Sequence, residues 1–421
     1  MISVVTIKST FYNVGSAMFS TLTEISQKVG SPFYIVHPEL FRENLRNFSK
    51  AFTDIYPRFI LSYSFKTNYT PFLLQIVKEE GLFAEVVSDI EYDLAKLVGF
   101  SGEHIVLNGP VKEQPLLEKA IDNNSIINLD SCYEVETLLK LNRQQKDIHV
   151  GLRVNMVLNT CDGSSAIQGG LAESRFGFTE SELDVVIPML KNAGITINSL
   201  HGHVSTMNHS AENYKIIAER LTYIGEKYQL NDVEYIDLGG SFFGAAPKEV
   251  DISRRPSYSD YAKVICDALL GNEWFARHRP FIVIEPGASV VTNVFELVTK
   301  IFQHKKVNDK HFVSVDASIY QVRGGKANYP FVQFSDKDPQ DEIVADIVGS
   351  TCMEVDKVAE QVKLTHYRMG DILIFKASGA YRTNLTPFFI NPRCAIVELT
   401  SDGCRVVRKR QDANHLLNML Q

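Results

Sequence analysis

Short apolar runs rich in β-branched and aromatic residues recur at fairly regular intervals through the first two thirds of the chain. Eight such runs stand at residues 59–66, 82–88, 104–109, 125–130, 149–155, 197–205, 233–240 and 281–287. Between them lie segments with helix-like signals, one of which opens with Thr179 and Glu182 in a capping-box pattern. Strands that alternate with helices predict an α/β protein with a parallel sheet.

Eight alternating strands favour a closed (β/α)8 barrel of the TIM type over an open, doubly wound sheet, which is the structural alternative. After about residue 290 the pattern changes to strands with few helices between them. This change predicts a second, mostly β domain at the C-terminus. We therefore expect a barrel over residues 34–285 and a β-rich domain formed by residues 1–33 together with 286–421.

The composition is that of an ordinary globular protein, with 45% hydrophobic and 22% charged residues among 421. The net charge of −7 is spread along the chain, without the clustered Lys and Arg of a nucleic-acid surface. No apolar run reaches the roughly 18 residues of a membrane span, and no signal peptide is evident at the N-terminus. The six scattered cysteines indicate reduced thiols, and a cytoplasmic location is expected.

Polar side chains follow the predicted strands at the ends where a β/α barrel has its active site. They are Lys66, Ser88, Asn108, Asp130, Arg153, His201 and His203, and the motifs DLGGS and EPGAS follow the last two strands. Together they indicate an enzyme site at the mouth of the barrel.

Lys66 closes the first of these strands and allows three interpretations. It could be a solvated loop residue, a phosphate-binding charge or a nucleophilic amine. A position in an enclosed mouth would lower the pKa of the amine by desolvation, as a Schiff-base lysine requires. The polar groups at the other strand ends argue against the solvated lysine.

Glycines follow the last two strands at Gly239, Gly240 and Gly287. They permit close approach of the backbone, and successive N–H groups there could cradle a phosphate, although ordinary turn glycines are the plainer alternative. An amine, an anion site and the carboxylate of Glu285 in one mouth suggest pyridoxal phosphate. The amine would form the Schiff base, and Glu285 would pair with the pyridine nitrogen.

His201 and His203 lie on one face of a strand, as an H-x-H metal pair would. No acidic third ligand follows at a suitable spacing, so no metal is predicted. A flat ring beside a cofactor and an ordinary core histidine are the alternatives for His203.

At these motifs the sequence resembles the fold-type III pyridoxal-phosphate decarboxylases, which include ornithine, arginine and diaminopimelate decarboxylases. The resemblance covers nearly the whole chain and is carried by SYSFKTN, LHGHVST, DLGGSFFG, EPG, SRFGF, GSTCMEVD and SGAYRTN. It implies a barrel domain, a C-terminal β domain and a head-to-tail homodimer with shared active sites.

The resemblance also implies roles for single residues. Lys66 would be the Schiff-base lysine, His203 the ring stacked on the cofactor, and Glu285 the partner of the pyridine nitrogen. Cys352 would protonate the carbanion that CO2 loss leaves, across the dimer interface. The other cofactor-binding residues would be Thr206, Gly239, Gly240, Gly287 and Tyr381.

Several positions depart from the family pattern. Ala288 replaces an arginine that helps to hold the phosphate, so the phosphate must rely more on backbone N–H groups. Met353 replaces an aspartate that recognises the distal ammonium in ornithine-type enzymes, and Glu354 is shifted from that position. Arg323 and Arg382 could bind a carboxylate, or could be ordinary surface arginines. We expect a substrate with an extra acidic group or a larger appendage rather than plain ornithine.

The predicted protein is a lyase of amino-acid metabolism that releases CO2 from an amino acid joined to pyridoxal phosphate. A racemase on the same fold is one alternative, but alanine racemases present an arginine to the pyridine nitrogen, where this chain has Glu285. A non-catalytic homologue that acts as a binding protein is another, favoured only by the missing phosphate arginine. Against it stands the set Lys66, His203, Glu285, Cys352 and Tyr381.

Overall fold

The computed structural model of the protein describes residues 15–141, 147–160, 163–322 and 330–421. The chain divides into two compact units. One comprises Arg42–Gly244 and Arg255–Val290, and the other comprises Met1–Phe41, Ala245–Arg254 and Val291–Gln421. The domain boundaries expected from the sequence, 34–285 for the barrel, stay a prediction.

Eight parallel strands close the first unit into a barrel. Strand β1 (Phe33–Val36) lies outside it. The barrel strands are β2 (Phe59–Ser64), β3 (Phe83–Val86), β4 (Ile105–Leu107), β5 (Ile126–Leu129), β6 (His149–Arg153), β7 (Thr196–His201), β8 (Tyr235–Asp237) and β9 (Phe281–Ile284). Because β9 pairs with β2, the barrel has no edge strand. The closed barrel is confirmed, and the doubly wound sheet is excluded.

Helices connect the strands, as the sequence predicts. α1 (Gly15–Val29) and α2 (Pro38–Thr53) precede the barrel strands. The connecting helices are α3 (Pro71–Glu79), α4 (Asp89–Val98), α5 (Gln114–Asp122), α6 (Cys132–Leu141), α7 (Glu180–Asn192), α8 (Ala211–Lys227), α9 (Tyr258–Leu270) and α10 (Glu273–His278), and α11 (Ala288–Val291) follows β9. Within the described residues, no helix is long and apolar enough to cross a membrane.

Two helix starts show how the local sequence sets these boundaries. Thr179 and Glu182 form the predicted capping box at the start of α7, with each side chain bonded to the other's backbone N–H. Ser88, predicted to end a strand, instead caps α4, because its hydroxyl accepts the N–H of Glu91. Serine is a preferred N-cap residue, so the hydroxyl of Ser88 serves the start of the helix.

The second unit is built on a nine-stranded sheet, which confirms the predicted mostly β domain. Its strands after β1 are β10 (Phe295–Val307), β11 (Lys310–Val315), β12 (Phe331–Phe334), β13 (Ile343–Val348), β14 (Lys357–Leu364), β15 (Ile372–Phe375), β16 (Ala395–Thr400) and β17 (Gly403–Arg408). Two helices, α12 (Arg382–Leu385) and α13 (Ala413–Leu420), complete it. All four residues of β1 are buried between β10 and β16, in keeping with its uninterrupted apolar sequence.

Candidate active site

Lys66 lies in a short 3-10 turn, Phe65–Thr67, directly after β2. Its Nζ is 2.7 Å from Oε2 of Glu85 on β3, and the Oγ of Ser64 donates to the same oxygen at 2.5 Å. Glu85 is buried, whereas 40% of the Lys66 side chain is exposed. The amine is therefore less enclosed than the sequence suggested, and a buried carboxylate holds it at the mouth of the barrel.

An amide bridges this carboxylate to the one that follows β9. The Nδ2 of Asn108 donates to Oε1 of Glu85 at 3.2 Å and also to Oε1 of Glu285. The Oδ1 of Asn108 accepts a hydrogen bond from Asn128 at 3.0 Å, and Asn128 donates in turn to Asp237 at 3.3 Å. Glu85, Glu285 and Asp237 thus belong to one buried hydrogen-bond network.

Three carboxyl groups lie in this network, and the amine of Lys66 pairs with one of them, Glu85. Burial raises the pKa of Asp237 to about 7. Burial and the nearby charges of Asp237 and Glu85 raise the pKa of Glu285 well above its ordinary value. Both shifts follow from removing carboxylates from water and placing them close together.

Two histidine rings stand beside these acids, nearly parallel and 6.4 Å apart between centroids. Burial, with the charge of Arg153, lowers the pKa of both His201 and His203 well below the ordinary range, which favours the neutral form of both rings. The Nδ1 of His203 accepts the N–H of Gly240 at 3.0 Å. Both ring nitrogens of His201 are buried and form no hydrogen bond with the described residues.

The predicted glycines are required by close contacts in the same mouth. A Cβ on Gly239 would overlap the His203 ring, and one on Gly287 would overlap Thr67. The N–H of Gly239 binds Oδ1 of Asp237 at 2.9 Å, while that of Gly240 binds His203. Both N–H groups are therefore engaged within the protein, which differs from the free phosphate cradle that the sequence suggested.

His201, Asp237 and Glu285 each offer a ligand atom within 4.8 Å of the other two, a spacing that could hold a metal ion. The sequence predicts no metal, because no acidic ligand follows the two histidines at a suitable spacing; the two carboxylates come from other strands. Asp237 and Glu285 already accept hydrogen bonds from Asn128 and Asn108. We therefore interpret the group as part of the buried network.

Residues 40–292 match the model of the pyridoxal-binding domain of pyridoxal-dependent decarboxylases. The chain belongs to this family.

Similar proteins extend the match over both units of the chain. The diaminopimelate decarboxylase of Aquifex aeolicus is 27% identical over 405 residues, covering 94% of this chain and 93% of that protein. The L-glutamyl-[BtrI acyl-carrier protein] decarboxylase of Niallia circulans is 26% identical and covers 94% of this chain and 95% of that protein. The crystal structure of Helicobacter pylori diaminopimelate decarboxylase complexed with L-lysine has a TM-score of 0.82 at 23% identity, covering 95% and 99% of the two chains.

The family match confirms the predicted class: this decarboxylase is a carboxy-lyase that uses pyridoxal phosphate. The racemase and the non-catalytic binding protein are thereby set aside. The mouth residues fit the cofactor, because a protonated pyridine nitrogen would offset the excess acid around Glu285. Lys66 offers a partly exposed amine for the aldehyde, and the neutral ring of His203 is suited to stacking.

Apart from Thr206, which is buried in the barrel unit, the other predicted residues lie on the second unit. Cys352 and Glu354 are exposed, while Tyr381 and Arg382 are partly buried at the start of α12. Arg323 lies outside the described residues. These side chains come from two loops of the one unit.

A buried aspartate holds the loop that carries Cys352. Asp356 Oδ1 accepts the N–H of Ile319 at 2.7 Å, and its Oδ2 accepts the N–H and the hydroxyl of Thr351 at 3.0 and 2.5 Å. The N–H of Asp356 returns to the carbonyl of Met353 at 3.0 Å. The tight turn leaves the Cys352 side chain at the surface.

Three partners of the predicted residues escape prediction from the sequence: Glu85, Asn128 and Ser199. For Glu85 and Asn128 the signal was present, because each is a polar residue within an otherwise apolar barrel strand, whereas Ser199 lies in a strand with other polar residues. Ser199 donates to Oδ1 of Asn128 at 2.8 Å and extends the network below Asp237. A polar group in a strand buried on both faces must find such a partner.

Proposed function

We propose that this decarboxylase acts on an amino acid whose side chain carries an acidic group or a larger appendage, rather than on plain ornithine. The observation that carries the proposal is the chemistry next to Cys352. The Oη of Tyr320 donates to the sulfur of Met353 at 3.7 Å, so an uncharged thioether follows the candidate acid. A free ammonium on the substrate would find no carboxylate at that position.

Two further features support the same substrate class. Arg382, partly buried at the start of α12, offers a guanidinium that suits a carboxylate, and the exposed Glu354 could meet a cationic part of a larger substrate. Arg323 is retained as a candidate from the sequence. By their names, the relatives act on diaminopimelate, which has a second carboxylate, and on a glutamyl group attached to a carrier protein.

Bound pyridoxal phosphate supplies the electron-accepting ring that lets an amino acid lose CO2. Lys66 would bind its aldehyde group, and Glu85 would hold the ammonium of the released lysine. Glu285 would share a proton with the ring nitrogen, and His203 would orient the ring by stacking. Cys352, or Lys66 once it is released, would donate a proton to Cα after CO2 has left.

For the phosphate we propose the loop glycines, which would permit close approach because the N–H groups of Gly239 and Gly240 are already engaged, together with neighbouring hydroxyls. Thr206 is buried, and its Oγ1 accepts a hydrogen bond from Asn213 at 3.2 Å, which orients the hydroxyl. Gly239, Gly240, Gly287 and Tyr381 complete the proposed set of cofactor-binding residues.

We also propose a homodimer with shared active sites and a cytoplasmic location. The exposure of Cys352 supports the first, because an acid at the surface of its own unit is available to a partner subunit. Free cysteines support the second, since the described ones form no disulfide.

A CO2-release screen tests the substrate class. The panel contains the L and D forms of ornithine, lysine, glutamate and diaminopimelate, together with conjugated diamino acids. We expect the highest kcat/KM for a substrate with an additional acid or an appendage, and Arg382→Gln should raise the KM for the acidic substrates only. Preference for ornithine would overturn the proposal.

A further inference from the structure

The loop after β8 ends in a cluster that none of the roles above uses, formed by Ser241, Phe243, His209 and Arg255. The Nδ1 of His209 donates to the carbonyl of Ser241 at 2.6 Å, and its ring meets the edge of Phe243 at 4.8 Å between centroids. The guanidinium of Arg255 lies over the same Phe243 ring, 5.0 Å from its centroid. The phenyl ring therefore joins a cation to the loop.

The backbone of this loop has the character of an anion site. Ser241 adopts a φ of +76°, which a residue with a side chain takes only when its surroundings hold it there. In the described part of the chain, the N–H groups of Ser241 and Phe242 have no hydrogen-bond acceptor. Successive N–H groups after a left-handed residue form a concavity that binds anions.

A tyrosine fixes this conformation from the side of α9. The Oη of Tyr261 donates to the carbonyl of His209 at 2.5 Å and accepts the N–H of Phe243 at 3.1 Å. The N–H of Thr206 approaches the Oγ of Ser241 at 3.4 Å. The loop is thus built in advance, so a bound anion would not have to order it.

Arg255 supplies the charge that this loop otherwise lacks. It is partly buried and forms no ion pair or hydrogen bond with any residue that the structure describes. Burial and the charge of Arg255 lower the pKa of His209, so the guanidinium acts electrostatically on the loop. A cation held by an aromatic face keeps its N–H groups available for a ligand.

We infer that Arg255 replaces the phosphate arginine that the family carries at the position of Ala288. In this arrangement the phosphate of the cofactor binds the N–H groups of Ser241 and Phe242, and Arg255 neutralises it. The cation comes from the segment before α9 instead of from the end of β9. The inference rests on the proposed attachment of the cofactor to Lys66.

The test compares two forms of the cofactor that differ only in the phosphate. Apoprotein is titrated with pyridoxal phosphate and with pyridoxal, and binding at Lys66 is followed by absorbance. Arg255→Gln should weaken the binding of pyridoxal phosphate by roughly 10- to 100-fold, as expected for the loss of a charged hydrogen-bond donor. The affinity for pyridoxal should stay unchanged. Arg255→Lys should lie between wild type and Arg255→Gln, because it keeps the charge and loses the guanidinium fork.

The matched control is Arg254→Gln, since Arg254 is exposed and adjacent in sequence. It should change neither affinity. Unchanged pyridoxal binding by Arg255→Gln also shows that the variant is folded. Equal weakening of both ligands, or no weakening of either, would overturn the inference about Arg255. A Schiff-base absorbance that survives Lys66→Ala would instead overturn the proposed attachment of the cofactor to Lys66.

Discussion

Lys112 and Glu134 form a completely buried ion pair in the barrel unit, with Nζ 3.0 Å from Oε1. Glu134 also accepts the N–H of Lys112 at 3.1 Å and the N–H of Asp130 at 2.7 Å, whereas the Lys112 amine donates to the carbonyl of Gly109 at 2.6 Å. Burial lowers the pKa of Lys112 and raises that of Glu134. Desolvation thus opposes the attraction between the two charges.

Removal of the two partners should have unequal effects. In Glu134→Leu the ammonium stays buried without its carboxylate, which costs about 3–5 kcal/mol, and two N–H groups lose their acceptor at about 1–3 kcal/mol each. In Lys112→Met the carboxyl keeps both N–H donors and can take up a proton, so about 2–4 kcal/mol is expected. The free energy of unfolding should therefore fall further in Glu134→Leu, by at least about 1 kcal/mol.

The single tryptophan of the chain allows the stability of the barrel unit to be measured separately. Trp274 is buried in α10 of the barrel unit, so its fluorescence reports the unfolding of that unit. A loss of 1 kcal/mol lowers Tm by about 2–4 °C in a unit of this size. The two apoprotein variants should therefore differ in Tm by at least about 2 °C.

Lys119→Met is the matched control, because it breaks an ion pair with Asp93 in which the side chains are 40% and 55% exposed. Its cost should stay below about 1 kcal/mol. The reasoning would be refuted if Lys112→Met lowered Tm as much as Glu134→Leu. It would equally fail if the exposed pair proved as important as the buried one.

Three more predictions concern the site. The pKa of Asp237 is raised to about 7 in the folded protein, so this carboxyl stabilises the protein at low pH and loses that contribution as the pH rises toward 7. The Tm of apo Asp237→Asn should therefore rise relative to that of the wild type between about pH 4 and 7. A difference in Tm that stays constant over this range would contradict the prediction. Lys66→Ala and Cys352→Ala should each strongly lower formation of the decarboxylated amine, the second because Cα is protonated only after CO2 has left. Subunit exchange between the two variants should restore about a quarter of the wild-type rate of amine formation if sites are shared, and no recovery would exclude sharing. Asp356→Ala should lower kcat without changing cofactor absorbance, because it removes hydrogen bonds that hold the Cys352 loop. An unchanged kcat would show that these hydrogen bonds are not needed for activity.

The barrel could be predicted because parallel strands buried on both faces leave continuous apolar runs in the sequence. The strand-end residues could be predicted for a related reason, since the carboxyl ends of such strands meet at one mouth. The order of the strands along the chain is therefore enough to predict that Lys66, His203 and Glu285 lie near one another. The roles of these residues remain predictions until the variants are measured.

The pairing of these residues could not be read from the sequence, because it depends on register. Ser64 lies opposite Glu85 in the β2–β3 ladder, and this alignment brings the carboxylate to Lys66. The amide of Asn108 joins Glu85 to Glu285 only because the closed barrel brings three separate strands together. Arg255 is a similar case, since no motif marks it in the sequence.

The position of β1 has a consequence for synthesis of the chain. It ends at residue 36, yet its two neighbours in the sheet begin at residues 295 and 395. At translation rates of about 5–20 residues per second, β1 would wait on the order of 10–50 s for the first of them. Both edges of an apolar strand stay unpaired over that time, which exposes the nascent chain to aggregation. An N-terminal truncation through β1 would for the same reason damage the C-terminal sheet, not the barrel that follows it in sequence.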